Sequence, residues 1–310
     1  MHLLERSVER LAGSALLGRA AQSLDSVVRP VLDPAAVRTA LSGSWAGHSL
    51  HPAVMLAPVG AFLSAALLDR PGDESGQRAA DRLTRLGLLA VAPTALTGLS
   101  DWMSTSERAR RVGVVHALTN VLASGLALGA VVARARGQEQ LARTQTRSAA
   151  ALLGIGGYLG GHMSYVYGAG VSRNAFREPP PEWTRVAALD DLADERPHRA
   201  DADGYPVFLT ARGGRVFALS DRCGHLGCSL SEHASDFDGE ALSCGCHGSR
   251  FRLADGAVLA GPAASAQPVL DTRVREGVVE VRAARQERGG GADRVVSLTE
   301  RLRDRGSSGQ

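Results

Sequence analysis

Cys223-Gly-His225-Leu-Gly-Cys228 and Cys244-Gly-Cys246-His247-Gly-Ser249 contain all four cysteines of the 310-residue chain. Each stretch pairs a cysteine with a histidine, as C-x-H and then C-x-x-H, with 18 residues between His225 and Cys244. Thiolate and imidazole both suit late transition metals but differ in donor strength. Two such loops can grip two irons unequally, with Cys223 and Cys244 on one and His225 and His247 on the other. Structural zinc is the other chemistry open to a Cys₂His₂ set. Zinc fingers, however, space their ligands as cysteine pairs followed by histidine pairs. Here each half mixes the two types, which points away from a finger. Gly224, Gly227, Gly245 and Gly248 flank these residues and let the backbone curl with its N–H groups aimed at sulfur.

The window resembles the Rieske iron–sulfur family, in which imidazoles replace two thiolates of a [2Fe–2S] cluster and raise its potential. In the form C-x-H-L-G-C … C-x-C-H-G-S it is similar to the cytochrome bc-type branch. That resemblance implies a disulfide between Cys228 and Cys246 tying the two loops together. It also implies a covering loop at Gly261-Pro262-Ala263 and a hydroxyl from Ser249 donated to a bridging sulfide. The bc-type pattern has a tyrosine two residues after that serine, and here the position is Phe251. With one donor fewer, the expected potential lies within the Rieske range of roughly −150 to +300 mV but below its top. The resemblance covers residues 184–283.

Positioning such a site requires a compact β-domain, and the chain is long enough for that and a second domain. Net charge is +3, and the 35 basic residues are all arginine. They are dispersed and aromatics make up only 4%, so a nucleic-acid footprint is not expected. A mean hydropathy of −0.05 averages an apolar first half with a polar second half.

Residues 1–47 carry Leu4, Val8, Leu11 and Ala15 at helical spacing among charges, predicting an amphipathic helix on the membrane or on the bundle. Pro30 and Pro34 are expected to end it. A cleavable secretory signal is not expected. Four apolar runs follow in residues 48–171: His51–Leu68, Leu86–Met103, Val112–Ala133 and Ala149–Gly168. Each approaches the ~20 residues needed to cross the hydrocarbon layer, and charged linkers separate them, so an all-α four-helix transmembrane bundle is predicted. Small residues such as Gly125, Gly129, Gly157 and Gly161 favour close helix approach. Polar residues at membrane depth are costly and therefore candidates for function. His51, His116 and His162 could supply the axial ligands of a haem b; equally, they and Asp101 and Asn120 could be hydrogen-bonded glue between helices. The phrases His48-Ser-Leu-His51-Pro, Gly98-Leu-Ser-Asp101-Trp102 and Gly160-Gly-His162 to Gly168 resemble a bacterial four-helix membrane family of unknown function, sometimes joined to a Rieske domain. That resemblance covers about residues 41–175 and implies architecture, not chemistry.

Residues 172–183, with Pro179-Pro180-Pro181, read as a stiff extended tether. Residues 184–284 form the all-β domain, with strands expected at 207–210, 215–219, 249–253, 269–275 and 278–282. Gly213-Gly214 and Asp255-Gly256 mark hairpin turns. Residues 285–310 read as a disordered tail with a short helix at 296–302. Four spans place both termini on one side. Arginine counts do not settle which side, and a disulfide favours an oxidising compartment. No twin-arginine pair precedes the last span except Arg110-Arg111, so the cytoplasmic face of the inner membrane is the expected site.

The expected function is single-electron transfer, coupled to protons through the histidines, between a quinol, haem or protein donor and a partner. Leu226 would lie near the docking surface. An oxygenase would need a further 2-His-1-carboxylate iron site, and no histidine follows His247. A subunit of a quinol–cytochrome c oxidoreductase and a redox sensor are the other readings. In each case the chain is a redox component and not a stand-alone enzyme.

Overall fold

The structure, a computed structural model, describes residues 3–192 and 196–284. The expected tail at 285–310 and its helix lie outside these residues. The chain divides into two units: Met1–Gly43 with Ser49–Gly170, and Ser44–His48 with Val171–Gln310.

The first unit is helical. Its N-terminal part forms three helices where one was expected: α1 (Leu3–Ala12), α2 (Ala15–Leu32) and α3 (Ala35–Ser42). Gly13 ends α1, and the Ser14 hydroxyl caps α2 by accepting from the Leu17 amide at 3.3 Å. Pro30 lies inside α2 instead of ending it, because in the last turn its missing N–H removes a single helical bond. The inner stripes of these helices are buried. Val8 and Ala12 pack with Val112 and Leu159, and Ala21 and Leu32 pack with Trp102, Met103 and Val114.

The long helices follow. The first apolar run is broken at Met55 into α4 (His51–Val54) and α5 (Leu56–Leu68), followed by α6 (Glu74–Met103), α7 (Glu107–Ala135) and α8 (Glu139–Tyr165). Among the described residues, three spans, His51–Leu68, α6 and α7, are long and apolar enough to cross a membrane. The fourth expected span, on α8, is not among them. Its apolar half is diluted by five glycines, His162 and two tyrosines, which lower its hydropathy. Gly156 sits against Asn120 and Thr119, and Gly160 against His116. Leu63, Leu67, Leu89, Val121 and Leu128 are exposed, as a lipid-facing surface requires. At the end where α5 stops and α8 begins, fully buried Asp69 is paired with Arg134 and Arg143.

The second unit contains three antiparallel sheets, ordered β1-β10-β9, β2-β3-β4 and β5-β6-β7-β8. The strands are β1 (Thr184–Ala188), β2 (His198–Ala202), β3 (Tyr205–Arg212), β4 (Arg215–Ser220), β5 (Ala234–Phe237), β6 (Ala241–Cys244), β7 (Arg250–Arg252), β8 (Val258–Ala260), β9 (Leu270–Arg275) and β10 (Val278–Ala283). Strand β3 is buried on both faces. By the two-residue period of a strand, Val207, Leu209 and Ala211 enter a lower core with Val279 and Val281. Phe208 points the other way, into an upper core with Leu219, Leu242, Phe251, Cys223 and Cys244. Burying Phe208 or Phe251 contributes about 1.5–3 kcal/mol each, so the scaffold and the sulfurs share one packed interior. Strands β1, β2, β5, β6 and β8 are not among the expected ones, since each is only three to five residues long. Asp203-Gly204, with φ of 55° and 84°, is the hairpin signal that marks β2–β3.

The tether at 172–183 is sewn to this unit. The Pro180 carbonyl accepts from the Ala283 amide at 2.7 Å, and Trp183 is stacked between the guanidiniums of Arg273 and Arg282. Gly256 has φ of +70°, and a Cβ there would lie 1.9 Å from the Gln267 carbonyl oxygen. Gly256→Ala is therefore expected to destabilise the domain by about 3 kcal/mol or more, from backbone strain plus overpacking. Chemical unfolding would measure the loss, and an unchanged midpoint would refute the clash.

Candidate metal centre

Cys223–Cys228 and Cys244–Ser249 fold into the same six-residue loop. In each, the cysteine amide donates to the carbonyl five residues on: Cys223 to Cys228, and Cys244 to Ser249, both at 2.8 Å. The fifth residue donates back to the cysteine carbonyl, Gly227 to Cys223 at 2.9 Å and Gly248 to Cys244 at 2.8 Å. Closing this ring needs a left-handed fifth residue, and Gly227 (φ 87°) and Gly248 (φ 79°) supply it. The ring also turns two amides onto each sulfur, from His225 and Leu226 onto Cys223 and from Cys246 and His247 onto Cys244. Such N–H nests stabilise thiolate and tune metal-bound sulfur.

Both sulfurs are buried, and they hydrogen-bond to each other. Their contact pushes the Cys244 thiol down and, with burial adding to the effect, pushes Cys223 up. The His225 and His247 rings meet edge-to-face with centroids 4.8 Å apart, and Nδ1 of His225 is sealed from solvent. A thiol pair and an imidazole pair brought together by matching loops fit a two-metal cluster with unequal ends.

Cys228 and Cys246 are joined as a disulfide across an 18-residue separation. The sulfurs of Cys228, Cys244 and Cys246 lie within 4.8 Å of one another. That trio is not a competing thiolate site, because two of its members are spent in the bridge. Ser249 is fully buried, and its hydroxyl oxygen accepts from the Ala263 amide at 2.9 Å. This pins the Gly261-Pro262-Ala263 loop to the second ligand loop and leaves the serine O–H to donate elsewhere. Phe251 is fully buried in the upper core. Gly261-Pro262 is a cis peptide.

Sequence reasoning missed Asn174 and Gln267, which bond the first ligand loop from outside it. Neither carries a metal-ligand or periodic signal, so only long-range contact could reveal them.

The membrane histidines give haem b no support. Nδ1 of His116 bonds the Gly156 carbonyl at 2.8 Å and its Nε2 bonds Asn120 at 3.1 Å, leaving neither nitrogen for an iron. Nδ1 of His51 faces the Thr94 carbonyl and the Thr97 hydroxyl. His162 is buried, with its ring against Tyr167. Asp101 accepts from the Ser49 hydroxyl. The bonds of His51, His116 and Asp101 are those of helix glue, whereas Nε2 of His162 is buried with no hydrogen-bond partner among the described residues.

A β-domain with two matching Cys/His loops over a shared core defines an iron–sulfur electron-transfer module. The Rieske [2Fe–2S] domain family matches residues 182–275, and the family described as predicted membrane protein (DUF2231) matches residues 47–173. The chain belongs to the Rieske family, with its iron–sulfur domain joined to a domain of that membrane family, and it is an integral membrane protein. Ferredoxin CarAc of Metapseudomonas resinovorans is 30% identical over 100 residues, which are 32% of this chain and 92% of the ferredoxin. The terminal oxygenase component CarAa of carbazole 1,9a-dioxygenase from a Sphingomonas species is 32% identical over 74 residues, 24% of this chain. The match spans 20% of that oxygenase component's length. Among solved structures, the ferredoxin of carbazole 1,9a-dioxygenase from Nocardioides aromaticivorans IC177 is 28% identical, with 33% of this chain and 98% of that chain covered and a TM-score of 0.31. The terminal oxygenase component and the Nocardioides ferredoxin are by name parts of carbazole 1,9a-dioxygenase. The present chain carries a Rieske domain, a one-electron redox module.

Proposed function

We propose that the chain is a membrane-anchored Rieske electron carrier, in which Cys223 and Cys244 hold one iron of a [2Fe–2S] cluster and His225 and His247 hold the other. The cluster supplies one-electron transfer. The observation that carries this reading is the pair of matching loops, each aiming two amides at a cysteine sulfur, with the two imidazoles in contact. Ser249 would donate its hydroxyl proton to the cluster, and Gly261 and Pro262 would cover it. The named relatives favour a redox protein as partner, such as a reductase or an oxygenase component, over the quinol–cytochrome c system or the sensor. On the membrane side α8 acts as a fourth span. At 27 residues it is about 40 Å long, enough to cross, and Gly156 and Gly160 are covered by α7.

His225 and His247 hold protons on their outward ring nitrogens. Oxidation adds positive charge beside them and makes those protons easier to lose. Above the oxidised-state histidine pKa, rising pH therefore favours the oxidised form and the potential falls. The limiting slope is about 59 mV per pH unit for one proton per electron. EPR-monitored titration of the full chain in membranes measures this directly. A potential flat from about pH 6 to about pH 10 would defeat the histidine assignment, and a preparation holding zinc without iron would defeat the cluster.

A further inference from the structure

Asn174 lies between the two family matches, which end at residue 173 and begin at residue 182. It is nevertheless buried, at 7% exposure, and both ends of its amide are engaged. Its Nδ2 donates to the Arg222 carbonyl at 2.8 Å, and its Oδ1 accepts from the Ser220 hydroxyl at 3.0 Å. Gln267 completes the net. Its Nε2 donates to the carbonyls of Ser220 and Arg222 at 2.8 and 2.7 Å, and its Oε1 accepts from the Gly224 amide at 3.1 Å. The backbone amide of Arg173 donates to the Gly224 carbonyl at 2.8 Å. Gly224, between Cys223 and His225, is thus held at both of its backbone groups from outside its own loop. A Cβ on it would lie 3.3 Å from the Ser172 hydroxyl and 3.5 Å from Gln267 Oε1.

The Gly224–His225 peptide links this net to sulfur. A trans peptide directs its C=O and N–H to opposite sides of one plane. Here the C=O is gripped by Arg173 and the N–H is one of the two donors to the Cys223 sulfur. Fixing one fixes the aim of the other. In the second loop the equivalent Gly245 amide is bonded by the His233 carbonyl at 2.6 Å, inside the matched domain. We propose that Ser172–Asn174, together with Gln267, form a positioning clamp that aims the His225 amide at the Cys223 sulfur and so sets the reduction potential of the centre from the segment between the two domains. The clamp rests on the cluster reading above. Hydrogen bonds to cluster sulfur favour the more negative, reduced state, so releasing the clamp moves the equilibrium toward the oxidised state.

The test uses the full chain, with iron and acid-labile sulfide assayed before EPR-monitored redox titration. Asn174→Ala and Arg173→Pro, the latter deleting the gripping N–H, are compared with Glu178→Ala, an exposed control on the same segment. Both clamp variants should keep full iron and sulfide and shift the oxidised-to-reduced ratio about threefold to tenfold toward oxidised at a fixed mediator potential, the worth of about one hydrogen bond. They should also weaken the exchangeable-deuteron coupling of the His225 amide seen by ENDOR, while Glu178→Ala changes neither. The near-isosteric Asn174→Asp, which replaces the donor to Arg222 with an acceptor, covers the case of poor folding and should shift the same way. Loaded variants with wild-type potential and coupling overturn the clamp. A wild-type protein lacking iron and sulfide overturns the centre itself.

Discussion

Cys244→Ala is expected to abolish bound iron, acid-labile sulfide and the cluster's EPR signal, while the protein still floats with membranes. The cysteine sits at the head of a six-residue ring whose amides converge on its sulfur, so no neighbouring side chain can replace it without rebuilding the ring. Its partner Cys223 is buried in the same core, and removing either leaves an iron with a single thiolate. Zinc could tolerate three ligands and a water, whereas a cluster with one terminal cysteine missing is not held. The helices of the first unit draw their burial from their own clusters around Phe62, Trp102 and Val112 and should survive. Iron and sulfide assays on membranes check the claim. Retention of more than about a tenth of the wild-type iron would contradict the assignment, since a tenfold loss corresponds to only about 1.4 kcal/mol.

Breaking the bridge between Cys228 and Cys246 should be the next largest effect. A bond closing a loop of this length restrains the unfolded chain by about 3 kcal/mol. The double variant Cys228→Ser/Cys246→Ser should therefore unfold and lose its visible absorbance at correspondingly lower denaturant. The single variant Cys228→Ser should fare worse than the double. It frees the Cys246 thiol within 4.8 Å of the Cys244 sulfur, where it competes as a ligand. This ordering separates a bridge that only staples the chain from one that also keeps a rival sulfur out of reach. If the single and double variants lose cluster at equal rates, competition plays no part.

The two Cys/His loops were legible because short-range covalent spacing fixes them. Two turns with glycine at the fifth position can be read from six residues each, and the structure shows the same ring twice. The Gly213-Gly214 and Asp255-Gly256 turns were legible for the same reason, as positive φ at both glycines of the pair and at Gly256 restricts the residue type. Strands such as Ala234–Phe237, with an intermediate and exposed burial pattern, gave no alternation to find. The membrane runs were legible by length, yet α8 shows the limit of that signal, because hydropathy does not say whether a glycine will face lipid or a neighbouring helix.

Residue types and local spacing by themselves determined which donors exist, that they come as two unequal pairs, and that apolar helices precede them. Only the tertiary structure decided which surfaces meet: that β3 serves two cores, that His116 spends both nitrogens on its neighbours, and that Asn174 and Gln267, 93 residues apart, close on one ligand loop. The physical reason is range. A turn or an amphipathic stripe repeats within a few residues and leaves a pattern, whereas a hydrogen bond between distant segments requires only that the chain return to the same place, and that requirement leaves no periodic mark.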